Sequence, residues 1–487
     1  MLRQNRRPES MPAITTRVLL IAASLALGAC SFAPPLKVPD VPTASSYREE
    51  APWTQAQPAD ALARDSWWTL CGDTDLDGYQ QRLIANSPDI AAALARYQQA
   101  QALSDQLHSG LFPTLIGTGN TQRDRQSEAK PLRVLGPSSP NEYGSNTVGA
   151  ELDYEFDLWG RIRNQVASGN ASAQAAQADL ESARLSLQTQ LADNYIALRG
   201  LDSQAALLKD TVNAYTKALQ LTQTRHTAGI ASGLDEARAQ AQLETARSQV
   251  AQTLAQRALL EHAIAALIGE SASDFAITPR VVELHLPQIP LGMPSTLLQR
   301  RPDIAAAQRR IAAANANIGV ARAAYFPAIT LSATAGYQSS DSGNWIKAPN
   351  AYWSIGPSLF LTLFDAGKRR AEVAQAQAVL DEAGAKYRGV VLSAFQQVED
   401  NLALLSQYRT ASSAQQAAVV AAQRTLDLST SRYREGAVNY LDVVSAQTTA
   451  LQTQRDALDL DTRQRRASVQ LIRALGGGWS GEALSAP

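Results

Sequence analysis

The sequence predicts a mixed fold, mainly α with a membrane β portion, built as two tandem structural repeats in which a β-hairpin sits among helices of unusual length. Three observations carry this. Motifs recur in the same order in both halves; both halves contain apolar–polar alternation; and long stretches lack proline, between Pro140 and Pro279 and again between Pro357 and Pro487.

The repeat comes first. Pro88-Asp89-Ile90-Ala91-Ala92-Ala93 recurs as Pro302-Asp303-Ile304-Ala305-Ala306-Ala307, and Phe112-Pro113 recurs at the same offset as Phe326-Pro327. Phe156-Asp157 with Gly160-Arg161 recurs as Phe364-Asp365 with Gly367-Lys368, at a shorter offset, so the two hairpins differ in length. Gly229, Leu234-Asp235 and Ala239-Gln240 return as Gly436, Leu441-Asp442 and Ala446-Gln447. The chain then divides into a signal peptide over 1–29, an extended lipid-anchored segment over 30–72, a first repeat over 73–280, a linker over 281–296, a second repeat over 297–479 and a tail over 480–487.

Each copy reads helix, two strands, very long helix, tight turn, helix. Pro88 and Asp89 open a helix running to about Gly110, since proline and an acid both suit a first helical turn. Val148, Ala150, Leu152, Tyr154 and Phe156 then alternate with Glu151, Asp153, Glu155 and Asp157, a period of two that means strand. Phe326 to Tyr337 alternates similarly. Tyr352 to Phe364 is apolar at Trp353, Ile355, Leu359, Leu361 and Leu363, in the opposite phase to its repeat partner, which predicts either a bulge or a shifted exit from the sheet. Helices are expected from Arg161 to Thr227 and from Arg369 to Arg434. The first carries a heptad seam of Leu198, Leu201, Ala205, Leu208, Val212, Tyr215 and Leu219. The matching stripe, Leu405, Tyr408, Ser412, Gln415, Val419, Ala422 and Leu426, is more polar and is the better candidate for lining water. Turns at Gly229–Gly233 and Gly436–Asn439 make helical hairpin tips.

The N-terminus reads as an address. Arg3, Arg6, Arg7 and Arg17 precede a short apolar run from Val18 to Ala29, too short to span a bilayer, that ends in Leu27-Gly28-Ala29-Cys30. This resembles a bacterial lipobox, making Cys30 the lipidated first residue of the mature chain; the alternative is an ordinary signal peptide with an incidental cysteine. Ser31 in the next position favours outer-membrane sorting, and translation starts at Met1 or Met11. Cys71 is then the remaining cysteine, which leaves no intrachain disulfide, and it reads as a core residue near Trp67 and Trp68. His108, His226, His262 and His285 show no ligand spacing, and no nucleophile motif is present, so no catalytic residue, metal or cofactor is expected. With 18% charged residues and a net charge of −1, nothing points to a nucleic-acid partner.

No mature segment has the run of apolar residues that a membrane helix needs, so any crossing is by a closed barrel. Four strands cannot close one. Strands pooled from three protomers would give twelve, with apolar residues toward lipid and Glu151, Asp153 and Glu155 toward water, where they would bias a pore to cations. A half-buried soluble sheet with a solvated acidic face is the other reading of the same alternation.

Several motifs resemble the TolC-type outer-membrane factors, specifically the lipoprotein branch serving resistance-nodulation-division efflux pumps. They are Leu297-Leu298-Gln299-Arg300-Arg301-Pro302-Asp303-Ile304, Ala321-Arg322-Ala323-Ala324-Tyr325-Phe326-Pro327, Phe156-Asp157-Leu158-Trp159-Gly160-Arg161 and Ala474-Leu475-Gly476-Gly477-Gly478-Trp479. The resemblance implies a homotrimer whose twelve-stranded β-barrel continues into an α-helical coiled-coil tunnel across the periplasm. It also implies a periplasmic adaptor and an inner-membrane transporter as partners. It places a periplasmic gate at Asp442, with Ser445 where a second acid is often found. Helix capping is the competing role for Asp442, and capping is the expected role of Asp235. Arg225, Gly229, Arg432 and Gly436 are candidates for docking or locking at the tips, although an arginine there also suits a helix C-terminus. Two alternatives keep part of the pattern: the exit duct of a type I protein secretion system, and a periplasmic coiled-coil lipoprotein without a pore.

Overall fold

The computed structural model describes residues 31–41, 47–48, 64–127, 141–285, 301–341, 343 and 345–477. Cys30, the motif before Arg301 and the terminal Trp479 lie outside them. Eleven elements matter here: helices α1 (Thr74–Asn86) and α2 (Pro88–Ser109), strands β1 (Thr114–Arg125) and β2 (Glu142–Glu155), helices α3 (Arg161–Thr227), α4 (Gly233–Leu267) and α5 (Pro302–Ala323), strands β3 (Ala328–Ser339) and β4 (Ala351–Phe360), and helices α6 (Lys368–Arg434) and α7 (Tyr440–Ala474). The two long helices, α3 and α6, are 67 residues each, on the order of 100 Å at 1.5 Å per residue. Among the described residues the chain folds as two compact units that cut across the repeats: one takes those within 31–38, 99–173 and 309–385, the other those within 39–98, 174–308 and 386–477.

In the first unit the strands form one antiparallel sheet in the order β1-β2-β3-β4. Register explains its faces. Leu152 stands between Leu115 and Ala333, and Ala333 in turn faces Ile355. Ala150 aligns with Ala335 and then Trp353. Because side chains alternate, these residues share one apolar face, while Glu151, Thr334 and Ser354 align on the other. The apolar face is bare: Trp353, Ile355 and Leu359 are 77%, 62% and 64% exposed. An apolar surface of this kind calls for lipid or protein against it.

β1 escaped the alternation signal. Its sequence is polar, with Gly117 and Gly119, and it enters the sheet through its pairing with β2. The expected bulge in β4 is absent, because the β3–β4 register runs unbroken from Ala328↔Phe360 to Tyr337↔Ala351. The phase difference is absorbed at the exit. After β2, one left-handed residue, Gly160 (φ 74°), precedes the helix; after β4 there are two, Ala366 (φ 52°) and Gly367 (φ 88°). In both copies the aspartate of the Phe-Asp motif caps the long helix. Asp157 accepts from the backbone N–H of Ile162 (3.0 Å) and Arg163 (2.8 Å), and Asp365 from that of Arg369 (3.3 Å).

In the second unit a core forms around Trp67, Trp68, Cys71, Leu76, Leu191, Tyr195 and Ile264. Cys71 lies in it as the sequence predicts, its thiol pushed up to about 11, chiefly by burial. Asp73 caps α1 through the N–H groups of Asp75 (2.9 Å) and Leu76 (3.2 Å) and also accepts from the Tyr195 hydroxyl (3.0 Å). Beside it Arg199, Asp202 and Arg257 form a buried ionic cluster. The α3 seam is buried at Leu198, Ala205, Leu208, Tyr215 and Leu219. On α6 the polar centre at Ser412, Gln415 and Val419 is only half-buried, and Gln415 donates across to the Thr453 carbonyl of α7 (2.9 Å).

Candidate functional site: polar sheet face and helical tips

Among the described residues no helix is long and apolar enough to cross a membrane. The acids and tip residues singled out from the sequence lie on the polar face of the sheet, in the first unit, and at the helical hairpin tips, in the second.

The three predicted pore acids are not equivalent. Glu155 forms a two-point ion pair with Arg161 (2.9 and 2.6 Å), which cancels its charge. Asp153 accepts from the Ser332 hydroxyl at 2.6 Å, a neutral partner that leaves its charge in place. Glu151 faces Ile116 and Thr334. Any acidic ring thus rests on Glu151 and Asp153. The polar face also carries Tyr352, opposite Gly336. A Cβ on Gly149 would lie 2.8 Å from the Tyr352 hydroxyl oxygen, and one on Gly336 3.1 Å from Cε1 of the Tyr352 ring. The two glycines make room for a ring lying across the face, a contact that strand alternation does not reveal.

At the first tip, α3 ends with Gly229 (φ 72°); the N–H of Gly229 donates to His226 O and that of Ile230 to Arg225 O, both at 2.8 Å. The second tip repeats this with Gly436 (φ 79°), Tyr433 O (3.0 Å) and, for Ala437 N–H, Arg432 O (2.9 Å). Glycine is needed at both, since a Cβ is disfavoured in left-handed backbone. The following helices are capped by Ser232, which accepts from Asp235 N–H (3.4 Å), and Asn439, which accepts from Asp442 N–H (3.3 Å). Capping is thus not the role of either aspartate. Asp235 instead pairs with Arg238 at 3.6 Å. Asp442 is exposed, as is Ser445 one turn along.

Arg225 and Arg432 occupy matched sequence positions but different surroundings. Arg225 donates to the Tyr433 carbonyl at 2.8 Å, and its guanidinium carbon lies 4.6 Å from the centre of the Tyr433 ring, tying the first tip to the second. Arg432 is exposed. Beneath them Tyr215, Leu219, Leu243, Tyr433, Tyr440 and Val443 pack together. Burial pushes the phenol of Tyr440 up to about 12, so the cluster stays neutral at physiological pH. Sequence reading placed Asn439 in the second turn but missed its capping role, which an asparagine directly before a helix signals, and missed Tyr433, whose only signal was its place beside the tip glycine.

A family profile described as outer membrane efflux protein matches residues 80–270 and again 293–477. The chain belongs to this family. Its double match agrees with the two repeats. As an outer membrane efflux protein it is the outer-membrane channel of an efflux pump, and its task is conduction rather than catalysis. The pyoverdine export outer membrane protein OpmQ of Pseudomonas aeruginosa is 33% identical over 469 residues, covering 95% of this chain and 97% of that one. Outer membrane protein OprJ of the same organism is 32% identical over 473 residues, covering 96% of each. The solved structure of the outer-membrane channel OprN superposes with a TM-score of 0.84 at 28% identity, over 92% of this chain and 100% of that chain. This is the TolC-type fold that the sequence motifs implied, with four strands and long helices in each chain.

Proposed function

We propose that three copies of this efflux channel pool their strands into a twelve-stranded barrel, and that the helices form a tunnel carrying small molecules handed over by an inner-membrane resistance-nodulation-division transporter and a periplasmic adaptor. The observation that carries the trimer is the sheet. It has four strands, its outer edges β1 and β4 are unpaired among the described residues, and one face is apolar and exposed. Unpaired backbone groups cost several kcal/mol each in lipid, so edges must meet edges of further copies. The relatives' names span pyoverdine, antibiotic, toluene and solvent export, which supports a permissive conduit for small organic molecules. Cys30 is the proposed lipid anchor. Purification from outer membranes, followed by mass determination of the intact assembly and planar-bilayer conductance, tests the reading: a non-conducting monomer overturns it.

The proposed gate is Asp442, with Ser445 beside it, and the Arg225–Tyr433 link holds the tips together; Gly229, Arg432 and Gly436 form the exposed rim offered to the adaptor. In Asp442→Ala, block of single-channel current by divalent cations is expected to weaken several-fold while the unfolding temperature stays within error, because Asn439 still caps the helix. Unchanged block removes Asp442 from the gate.

The barrel acids make a separate expectation. Glu151→Gln with Asp153→Asn moves the reversal potential in a salt gradient toward zero selectivity, whereas Glu155→Gln with Arg161→Gln changes it little, because that ion pair carries no net charge to lose. A shift from removing the pair as large as that from removing the two acids contradicts the assignment.

A further inference from the structure

On the polar face of the sheet Thr118, Gly149, Gly336 and Tyr352 stand in one row from β1 to β4, because Gly149 pairs with both Thr118 and Gly336, and Gly336 with Tyr352. β2 lies two strand spacings from β4, about 9.6 Å. Yet the Tyr352 hydroxyl oxygen comes within 2.8 Å of where a Cβ on Gly149 would stand, and Cε1 of its ring within 3.1 Å of where one on Gly336 would stand. A ring pointing straight off the sheet would reach neither place. The phenol therefore lies flat over β3 toward β2, on ground that both central strands leave bare of side chains.

A flat ring has two π faces. One rests on the sheet, and the other is turned away from it; Tyr352 is half-buried. Ser354, the next residue of β4 on this face, is too short to cover the ring and makes the neighbouring row with Thr334 and Glu151. Glu151 follows Gly149 by two residues, about 7 Å along β2, so a carboxylate stands one row from the ring. The face of an aromatic ring is itself partly negative. Ring and carboxylate thus favour the same ligand, a cation with a flat aromatic body that stacks on the phenol and keeps its charge toward Glu151. Position fits a role in exit. Tyr337↔Ala351 is the last pair of β3 and β4, and Gly336↔Tyr352 is the one before it. Helices α3, α5 and α6 join the sheet at the opposite end.

We propose that Tyr352 is a specificity-determining residue of this channel: laid flat by Gly149 and Gly336 beside Glu151, its ring is a platform that holds planar aromatic cations at the outer end of the barrel. The platform belongs to the lumen only on the proposed barrel, whereas the posture of the ring is independent of it. In a trimer three such platforms surround the exit.

Single-channel recording of the full-length protein in planar bilayers tests this, with proflavine as the planar aromatic cation and tetraethylammonium as an aliphatic cation of the same charge. In wild type, proflavine is expected to block the current for longer than tetraethylammonium. Tyr352→Leu is expected to shorten the proflavine block about threefold, the loss that an exposed cation–π contact produces, and to leave tetraethylammonium unchanged. Tyr352→Phe keeps the ring and should keep the wild-type block. Glu151→Gln removes charge rather than the stacking face and should shorten the block by both cations. A ring that only fills the space over the two glycines would lower the urea midpoint of Tyr352→Leu in lipid vesicles without changing the ratio of the two block times, and that result overturns the platform. Should Tyr352→Leu fail to insert, Tyr352→Trp offers a larger face and is expected to lengthen the proflavine block; an unchanged or shorter block overturns the platform as well. A wild type that carries no current overturns the barrel and the platform together, whereas a conducting wild type that holds both cations equally long overturns the platform alone.

Discussion

Asp202→Ala is expected to destabilise the second unit by about 3 kcal/mol, near the lower end of the 3–5 kcal/mol typical when one partner of a buried ion pair is removed. The Asp202 and Arg199 side chains are each 2% exposed, and that of Arg257 is 8%. Asp202 accepts from Arg199 Nη1 (2.9 Å), Arg257 Nε (2.6 Å) and the backbone N–H of Arg280 (3.2 Å). Without it, two buried cations lose their common counter-charge. The effect stays near the lower limit because each retains other partners: Arg199 reaches Asp75 (3.2 Å) and the Thr278 carbonyl, and Arg257 reaches Glu261 (3.0 Å) and the Ile277 carbonyl. Asp202→Asn keeps an acceptor and should lose less. Urea titration of the assembled channel, followed by tryptophan fluorescence, measures both; a midpoint for Asp202→Ala equal to wild type contradicts the account.

The second large effect lies on the sheet. Ala333→Arg places a cation at the middle of β3 on the apolar face, between Leu152 and Ile355. On the lipid face of a barrel this costs about 2–4 kcal/mol near the bilayer midplane. Thr334→Arg, one residue on, points to the polar face opposite Glu151 and should fold normally while shifting ion preference toward anions. The comparison isolates the side of the sheet, since both variants add the same side chain at the same depth. Folding yield and urea midpoints in lipid vesicles read the difference, and equal stability of the two variants refutes the assignment of faces.

Much of this architecture was legible because the governing signals are local. The absence of proline and the tip glycines bounded α3 as observed, and bounded α6 to within a residue at its start. Strict alternation marked β2, and its pairing follows from the same alternation in β3. β1 was not legible, since a strand that is polar and contains glycine gains its place from hydrogen bonds to β2 rather than from its own pattern. The opposite phase of β4 was visible, but its cause was not: whether an extra residue sits inside the strand or after it depends on the register with β3.

The site residues divide in the same way. Sequence alone determined the two-copy plan, the strand that carries the acids, and the positions of the tips, because each is a matter of periodicity or of a turn residue's own conformational preference. Only the tertiary structure decided which charges remain available. Glu155 is neutralised by Arg161, Asn439 takes the cap that Asp442 was a candidate for, and Arg225 is bound to Tyr433 while its repeat equivalent Arg432 is exposed. Equal positions in a repeat share their backbone because local sequence sets it. They do not share partners, because partners are chosen by which surfaces pack together, and a side chain's role follows its neighbours.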